Sequence, residues 1–323
     1  MLLIEHLLSG GIITNYYCTS SCRHCLYRCS PYWPKDYMTK EMARNAFETC
    51  KRLGCFSVHI GGGEPFLNLQ GLLSVLEAAR DSGISIEYVE TNSSWFTDAE
   101  KAVSILEKVK GLGVSTLLVS ASPFHLEFIP FKKVLGVVEA CKYVGMKPFL
   151  WTEAFFNLFQ GLDPSKRYTI HDLEIIFGKD KIRQMISSYW IHPGGRALET
   201  FFDSGFTFEE LLERYQGGCQ ELSDTSHFHM DLYGNYIPGL CSGLAVETKD
   251  LGKPLDPSKY PICSILYEEG IRGLFRYASS KGFMPSKGRQ YGAKCSLCFH
   301  MRSFLFRQGE SLHELAPNSH YKI

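Results

Sequence analysis

Residues 18–25 read CTSSCRHC and residues 61–65 read GGGEP, and these two stretches decide how the chain is interpreted. In the first, Cys18, Cys22 and Cys25 follow a C-x3-C-x2-C pattern. Three thiolates on one short loop can hold a cubane iron–sulfur cluster by three of its four irons, because each cluster iron normally takes one cysteine. The remaining iron is then free to bind another molecule, as the open position of a catalytic zinc is. The pattern therefore predicts a reactive cluster rather than one that only passes electrons.

The composition indicates a soluble, cytoplasmic protein that binds metal through cysteine. The 323 residues include 12 cysteines, and 34 Lys plus Arg balance 34 Asp plus Glu. The sequence has no basic stripe of the kind that would indicate nucleic-acid binding. The N-terminal MLLIEHLLSGG does not read as a signal peptide, and no apolar run reaches the ~18 residues of a membrane span. The cysteines bunch at 18–29 and 295–298, which favours metal or cluster ligation over a secreted disulfide framework.

The first two hundred residues alternate strand-type and helix-type patterns. Six strands are predicted, at Gly11–Tyr17, Phe56–Ile60, Ile84–Thr91, Ser115–Ser120, Lys147–Thr152 and Tyr189–His192. Helical patterns are predicted at Thr39–Gly54, Leu69–Gly83, Ala99–Gly111, Phe131–Gly145 and Ile170–Ser187. In the first helix Thr39 is the expected cap, and Met42, Ala46, Phe47 and Leu53 form the expected apolar face. This alternation predicts a parallel sheet with helices outside, and six such units make an open, partial barrel. Both motifs follow a predicted strand end, where parallel barrels carry their chemistry.

From about Glu199 the rhythm changes, and we place a domain boundary near residue 200. Residues 227–239, HFHMDLYGNYIPG, have the pattern of a hairpin with Gly234-Asn235 at its turn. Helices are predicted at Phe208–Gln216 and Tyr267–Ser279, and a last helix opens at Cys295 and Cys298. The expected domains are therefore residues 1–200 and 201–323.

The cysteine loop, followed after the next predicted strand by Gly62-Gly63-Glu64, closely resembles the radical S-adenosylmethionine (radical SAM) superfamily. The family motif is C-x3-C-x-aromatic-C, and His24 takes the aromatic position. The resemblance implies that the three cysteines hold a [4Fe-4S] cluster whose open iron is chelated by S-adenosylmethionine (SAM). Reductive cleavage of SAM then yields a 5′-deoxyadenosyl radical, which takes a hydrogen atom from substrate. An electron donor such as flavodoxin or ferredoxin is implied as a partner.

The resemblance also implies which residues contact SAM. Glycines let the backbone approach the ligand closely, and Glu64, or the backbone beside it, is expected to meet the cationic amine. Arg196 resembles a family position that pairs with the SAM carboxylate, since a guanidinium matches a carboxylate bidentately. The cofactor-binding candidates are Gly62, Gly63, Glu64, Ser122, Arg196, His24, Asn92 and Glu153. A satisfied polar group at a strand end is the alternative for the later candidates, and His125 and Glu153 could equally face substrate.

A second set of four cysteines, Cys219, Cys241, Cys295 and Cys298, lies in the C-terminal part. With Gly234 between the first two, the set resembles the twitch domain, a short relative of the SPASM domain that holds an auxiliary [4Fe-4S] cluster. The family spacing has four residues between this glycine and the next cysteine, whereas six separate Gly234 from Cys241 here. A structural zinc site with the same four thiolates is the main alternative, because spacing alone cannot distinguish the two.

The other cysteines leave several interpretations open. Cys29 extends the loop to a fourth cysteine and could complete an ordinary cluster, but the following Pro31 and Tyr32 favour a non-ligand. Cys263 is a core residue, a spare cluster ligand or a thiol hydrogen donor of the kind used by radical SAM epimerases. Small buried hydrophobes are expected for the remaining three, Cys50, Cys55 and Cys141.

The expectation is an α/β protein: a partial (β/α)6 TIM-like barrel of the radical SAM type, followed by a small α+β twitch-like domain. Three functions remain distinct. The first is radical oxidation or cross-linking of a peptide or small molecule, assisted by an auxiliary [4Fe-4S] cluster. The second is peptide epimerisation with Cys263 as hydrogen donor. The third is a non-catalytic iron–sulfur or zinc scaffold.

Overall fold

The computed structural model describes residues 1–309 and 312–322, and the strands in that part of the chain form one eight-stranded sheet. In chain order they are β1 (Gly10–Ile13), β2 (Ser57–Gly61), β3 (Ser85–Thr91), β4 (Thr116–Ser120), β5 (Lys147–Trp151), β6 (Phe228–Asp231), β7 (Asn235–Ile237) and β8 (Val246–Glu247). Their order in the sheet is β5-β4-β3-β2-β1-β6-β7-β8. Neighbours from β5 to β6 pair in parallel, and β7 and β8 are antiparallel. The fold is a mixed α/β architecture with an open, mostly parallel sheet, as a partial TIM-like barrel requires.

Helices occupy the connections between the strands and most of the C-terminal part. They are α1 (Lys40–Arg52), α2 (Leu69–Ser82), α3 (Ala99–Gly111), α4 (Pro123–Leu126), α5 (Phe131–Val144), α6 (Glu153–Phe159), α7 (Ile170–Phe177), α8 (Lys179–Ser187), α9 (Ala197–Thr200), α10 (Phe208–Arg214), α11 (Pro261–Ser280), α12 (Lys294–Arg307) and α13 (Ser319–Lys322). Short 3-10 turns lie at Pro65–Asn68, Gln220–Ser223, Pro238–Leu240 and Thr248–Asp250. None of the helices in the described ranges has the length and apolarity needed to cross a membrane.

Local signals in the sequence set several helix ends. The Thr39 hydroxyl accepts a hydrogen bond from the Met42 amide at 3.2 Å, so the predicted cap of α1 is confirmed. Phe47 is buried on the inner face of α1 as predicted, but Met42 is exposed. Gly83 has a φ of +70° and ends α2 in the left-handed conformation that glycine adopts most easily.

The sixth strand predicted at Tyr189–His192 is wrong, because these residues form a loop after α8. Tyr189 turns into an aromatic cluster, with its ring 5.7 Å from that of Phe124. Pro193 has no N–H to give to a strand partner. Shortly after it, the Arg196 amide donates to the Cys25 carbonyl oxygen at 3.0 Å. The segment is therefore bonded to the cysteine loop and does not extend the sheet beyond β5.

The sixth parallel strand comes instead from the C-terminal part of the chain. β6 pairs with β1, on the opposite side of the sheet from β5. It continues into the predicted hairpin, in which His229 pairs with Ile237 and Gly234 has a φ of +77°. The turn is supported by Asp231, whose carboxylate accepts hydrogen bonds from the Asn235 amide at 3.0 Å and side chain at 3.1 Å. The sheet thus continues past residue 200, and the division into two domains there stays a prediction.

Candidate functional site

The three cysteines of the N-terminal motif meet the glycine run at one cavity. The loop that follows β1 carries Cys18, Cys22 and Cys25, which line a cavity of about 400 Å³ with Gly62 and Gly63. Part of the wall comes from alternate residues of neighbouring strands: Tyr88 and Glu90 of β3, Leu118 and Ser120 of β4, and Trp151 of β5. Since alternate residues of a strand point to the same face, the cavity occupies the inner face of the partial barrel.

The glycine run is required by contact with the cysteine loop. A Cβ on Gly63 would lie 2.1 Å from the carbonyl oxygen of Tyr17, and Gly62 has a φ of +149°. The Gly63 amide donates to the Asn15 carbonyl oxygen at 2.7 Å, and the Glu64 amide donates to that of Tyr17 at 3.1 Å. The glycines therefore let β2 end directly against the cysteine loop, and their backbone borders the cavity.

Glu64 lies behind the cavity wall, and its carboxylate supports the end of β3. It accepts hydrogen bonds from the amides of Asn92 at 2.6 Å and Phe66 at 3.2 Å, and from the Thr91 hydroxyl. Burial raises the pKa of Glu64 to about 7. The prediction was that either the Glu64 carboxylate or the backbone beside it meets the SAM amine. These contacts occupy the carboxylate, which leaves the backbone beside Glu64 for that contact. They also aim Asn92 at the cysteines, since its side-chain amide donates to the Cys18 sulfur at 3.3 Å.

Arg196 holds the cysteine loop rather than facing the cavity. Its guanidinium donates to the carbonyl oxygens of Cys22 at 2.7 Å, Arg28 at 2.9 Å and Cys29 at 3.0 Å. The expected partner, a SAM carboxylate, is thus replaced by three backbone acceptors that lie close together only because the loop folds back on itself. In the structure Arg196 therefore supports the loop, and its predicted contact with the SAM carboxylate stays a prediction.

The thiols of this loop influence one another. A hydrogen bond from Cys29 lowers the pKa of Cys25 to about 6 against the effect of burial, and the positive charge of Arg196 acts in the same direction. For Cys18, burial raises the pKa to about 12. Cys29 also lines the cavity, so the structure places a fourth thiol beside the three of the motif.

Of the remaining predicted cofactor contacts, His24 and Asn92 line the cavity. The His24 ring packs 4.6 Å from that of Phe124, and its Nε2 is 3.5 Å from the Tyr189 hydroxyl. Ser122 is buried beside the cavity, where its hydroxyl is 2.7 Å from Nδ1 of the lining residue His125. Glu153, by contrast, is exposed at the start of α6, which does not fit a role in binding a buried cofactor.

The four C-terminal cysteines are brought together by folding. Cys295 and Cys298 lie in the first turn of α12, and Cys219 and Cys241 lie on loops on either side of the β6–β7 hairpin. Burial raises the pKa of Cys241 well above its usual value, and the charges of Cys295, Cys298 and Cys219 act in the same direction, so the four thiols lie near one another. Four neighbouring thiols are the donor set of a structural zinc or a [4Fe-4S] cluster.

Cys263 lies outside the cavity, on α11. Its amide donates to the Glu314 carboxylate at 2.8 Å, and its side chain is completely buried. This location favours a core residue and does not fit a donor that must reach a substrate radical. Cys50, Cys55 and Cys141 are also buried, as expected.

One further group of side chains, the imidazoles of His59, His227 and His229, is not predicted from the sequence. Their ring nitrogens lie within 4.8 Å of one another, and His227 and His229 line the cavity. Burial lowers the pKa of His59 to about 3, so its ring is neutral at pH 7. The alternation of His227-Phe228-His229 along a strand was a usable signal for two of them, because it puts both rings on one face. His59 lies beside them only because β1 separates β2 from β6 in the sheet, which the sequence pattern does not show.

One comparison with known proteins identifies a family for this chain. The model of the Radical SAM superfamily matches residues 12–173, which span β1 to the middle of α7 and include the cysteine loop and the glycine run. A search of curated proteins finds no match.

Solved structures similar to this chain include one of anSMEcpe and two of SuiB. Native anSMEcpe with bound AdoMet is 13% identical, with a TM-score of 0.44 over 93% of this chain and 97% of that chain. Streptococcus suis SuiB is 14% identical, with a TM-score of 0.36 over 85% of this chain and 69% of that chain. SuiB bound to the precursor peptide SuiA is 13% identical, with a TM-score of 0.35 over 99% and 76%.

Proposed function

The chain belongs to the radical SAM superfamily, and from that premise we propose that Cys18, Cys22 and Cys25 hold a [4Fe-4S] cluster with SAM beside it in the cavity. One observation carries the proposal: the three thiols and the glycine run, which are 36 or more residues apart in the chain, border the same cavity. When bound, cluster and SAM supply the radical that takes a hydrogen atom from substrate.

The residues around the cavity fit such a ligand. Within the part of the chain that the structure describes, Ser20 Oγ and His24 Nδ1 are buried without a hydrogen-bond partner, and both residues line the cavity. A buried polar atom without a partner is costly, typically 1–3 kcal/mol. A polar cofactor in the cavity would remove that cost, since it offers these atoms partners.

The substrate is proposed to be a peptide or a small organic molecule that enters the same cavity. Aromatic rings of Tyr88, Trp151 and Trp190 line it beside Glu90. Such a mostly apolar wall with a few polar groups suits one amino-acid side chain or a small molecule. We further propose oxidation or cross-linking as the outcome, with an auxiliary [4Fe-4S] cluster on the four C-terminal cysteines. The proposal is supported by the charges of Cys219, Cys295 and Cys298, which all act to raise the pKa of Cys241 and so indicate that the four thiols are neighbours.

Anaerobic reconstitution with iron and sulfide, followed by SAM and dithionite, tests the radical chemistry. The expected product is 5′-deoxyadenosine, and its absence from a protein that carries the cluster would leave the scaffold hypothesis standing. Replacing Cys18, Cys22 and Cys25 by alanine is expected to abolish the product. Cys141→Ala is the matched control, because that thiol is buried on α5 among core residues.

The same variants test the auxiliary site. The triple alanine variant is expected to keep the iron bound by the C-terminal cysteines. Loss of all iron from this variant would contradict the proposal of two clusters. If the variant instead holds zinc and no iron, the four C-terminal cysteines form a structural zinc site and not an auxiliary cluster.

A further inference from the structure

A row of two histidines and one glycine crosses three parallel strands below the proposed cluster site. Gly11 in β1 pairs with His59 in β2 on one side and with His229 in β6 on the other. A Cβ on Gly11 would lie 2.2 Å from Nε2 of His59. The missing side chain therefore lets the His59 ring lie across β1, where its Nε2 is 3.1 Å from Nε2 of His229.

A third imidazole completes the group. His227 precedes His229 by two residues, so both rings project from the same face of the chain. The ring nitrogens of the three histidines lie within 4.8 Å of one another. Zinc binds imidazole nitrogen at about 2.0–2.1 Å, which places two tetrahedral ligands about 3.3 Å apart. The 3.1 Å between Nε2 of His59 and Nε2 of His229 is close to that spacing, and a ring nitrogen of His227 lies within 4.8 Å of both residues' ring nitrogens.

The rings are held by neighbours in the way that metal ligands usually are. The Tyr27 hydroxyl is 2.8 Å from Nδ1 of His229, which leaves Nε2 directed at His59. The His59 ring is nearly parallel to the rings of Tyr88 and His227, with centroids 4.9 Å and 5.3 Å away. A hydrogen bond to the second ring nitrogen fixes the orientation of a ligating histidine.

An acidic side chain, that of Glu90, lies beside the three histidines. Oε1 of Glu90 is 3.8 Å from Nε2 of His59. This approach also depends on a glycine, since a Cβ on Gly61 would lie 2.7 Å from the Glu90 carboxylate. Glu90, His227 and His229 all line the cavity, so a small molecule in the cavity can reach the group.

We propose that His59, His227 and His229 bind a divalent first-row cation such as Zn²⁺ or Fe²⁺, with Glu90 beside an open coordination position that faces the cavity. Imidazole ligands suit these metals, and three protein ligands with a free position characterise reactive rather than structural sites. The cation site is separate from both sets of cysteines, and it does not depend on the radical chemistry proposed above.

The proposed cation site lies deeper in the barrel than the cysteine loop. Gly11 and His59 lie two residues before Ile13 and Gly61 in the same strand pair, which is roughly 7 Å deeper in the barrel. Tyr27 belongs to the cysteine loop and contacts His229. A bound cation would therefore form the floor of the cavity.

Cobalt binding to the protein with its clusters in place tests the proposal. After reconstitution and removal of free iron, Co²⁺ is added anaerobically, and metal per chain is measured together with the electron paramagnetic resonance of high-spin Co²⁺. Oxidised [4Fe-4S] clusters are diamagnetic, so the cobalt signal is observed directly. We expect one cobalt ion per chain in addition to cluster iron, with imidazole nitrogen couplings in pulsed spectra.

Variants separate the histidines from other ligands. His227→Gln and His229→Gln are expected to lose the cobalt while keeping the wild-type iron content, and His227 is partly exposed, so its replacement leaves the core intact. His171→Gln, at an exposed position on α7, is the control and should bind cobalt normally. Tyr27→Phe keeps the ring volume but removes the hydroxyl, and it should weaken cobalt binding about tenfold or more.

Two results would overturn the proposal. One is a wild-type protein that takes up no cobalt beyond its clusters, which would leave the three rings as a hydrogen-bonded group without a metal. The other is equal cobalt uptake by the wild type and the histidine variants, which would place the ion on thiols.

Discussion

The Arg196 guanidinium donates a hydrogen bond of 2.7 Å to the carbonyl oxygen of Cys22, the central cysteine of the N-terminal motif. It also donates to the carbonyl oxygens of Arg28 and Cys29 at 2.9 and 3.0 Å, so one side chain joins the middle of the cysteine loop to its C-terminal end. The residue lies 174 positions from Cys22 in the chain, and a cationic donor binds backbone carbonyls more strongly than a neutral one does.

Arg196→Gln should therefore loosen the cysteine loop. Removing charged hydrogen bonds and leaving buried carbonyls unpaired costs roughly 2–4 kcal/mol. We expect a lower midpoint of thermal unfolding and less iron retained after gel filtration. Arg167→Gln, at an exposed position, is the control and should retain the wild-type iron content. Normal iron content combined with weaker SAM binding would instead mean that Arg196 contacts the cofactor.

Gly63→Ala should push the end of β2 away from the cysteine loop. The new Cβ would lie 2.1 Å from the Tyr17 carbonyl oxygen, and neither backbone can move without breaking the hydrogen bond between Glu64 and Tyr17. We expect the variant to fold less stably and to form little 5′-deoxyadenosine after reconstitution. The comparison variant is Gly111→Ala, at the end of α3, where a Cβ meets nothing within 4 Å. Wild-type product formation by Gly63→Ala would show that the loop and the glycine run are not tightly packed.

Asn92→Ala should lower the reduction potential of the cluster held by the loop. The Asn92 amide donates to the Cys18 sulfur at 3.3 Å, and hydrogen bonds to cysteine sulfur stabilise the more negative, reduced cluster. The potential is measured by a redox titration followed by electron paramagnetic resonance, with Asn157→Ala on the exposed side of α6 as control. An unchanged or higher potential in Asn92→Ala would contradict a ligand role for Cys18.

Glu314→Gln tests a buried carboxylate in the C-terminal part. Glu314 accepts hydrogen bonds from the amides of Ile262 and Cys263, at the start of α11, and burial raises its pKa from 4.5 to about 7. Because the folded protein holds this proton more tightly than the unfolded chain, the associated stability is present below pH 4.5 and is lost as pH rises toward 7.

The measurement is the free energy of unfolding of both proteins between pH 5 and 8. The wild type should lose stability relative to Glu314→Gln as the pH rises to about 7, by roughly 1–3 kcal/mol, and the difference should then level off. A difference that is constant over this range, or that grows in favour of the wild type, would contradict a raised pKa.

Much of the local structure could be predicted because it depends on residues close together in the chain. Thr39 caps α1 through the amide of Met42, three residues away, and the hairpin turn follows from Gly234. The N-terminal cysteine motif and the pair Cys295 and Cys298 are recognisable for the same reason, since spacing within a loop or helix turn is a local property. The distances of Cys219 and Cys241 from that pair are set by the tertiary structure. The observed role of Glu64 could not be predicted in this way. Its carboxylate accepts a hydrogen bond from the Asn92 amide, and the sequence does not specify that the Thr91-Asn92 segment lies beside it.

By itself, the sequence determined the radical SAM motif, the alternation of strands and helices, and the positions of most helix ends. Only the tertiary structure decided that the strand Phe228–Asp231, and not Tyr189–His192, completes the parallel sheet, and that it does so beside β1. That choice brings His59 and His229 together across Gly11, although 170 residues separate them. The physical reason is that strand order and side-chain contacts across a sheet depend on which distant segments bury their surfaces together, and local spacing does not specify the partner.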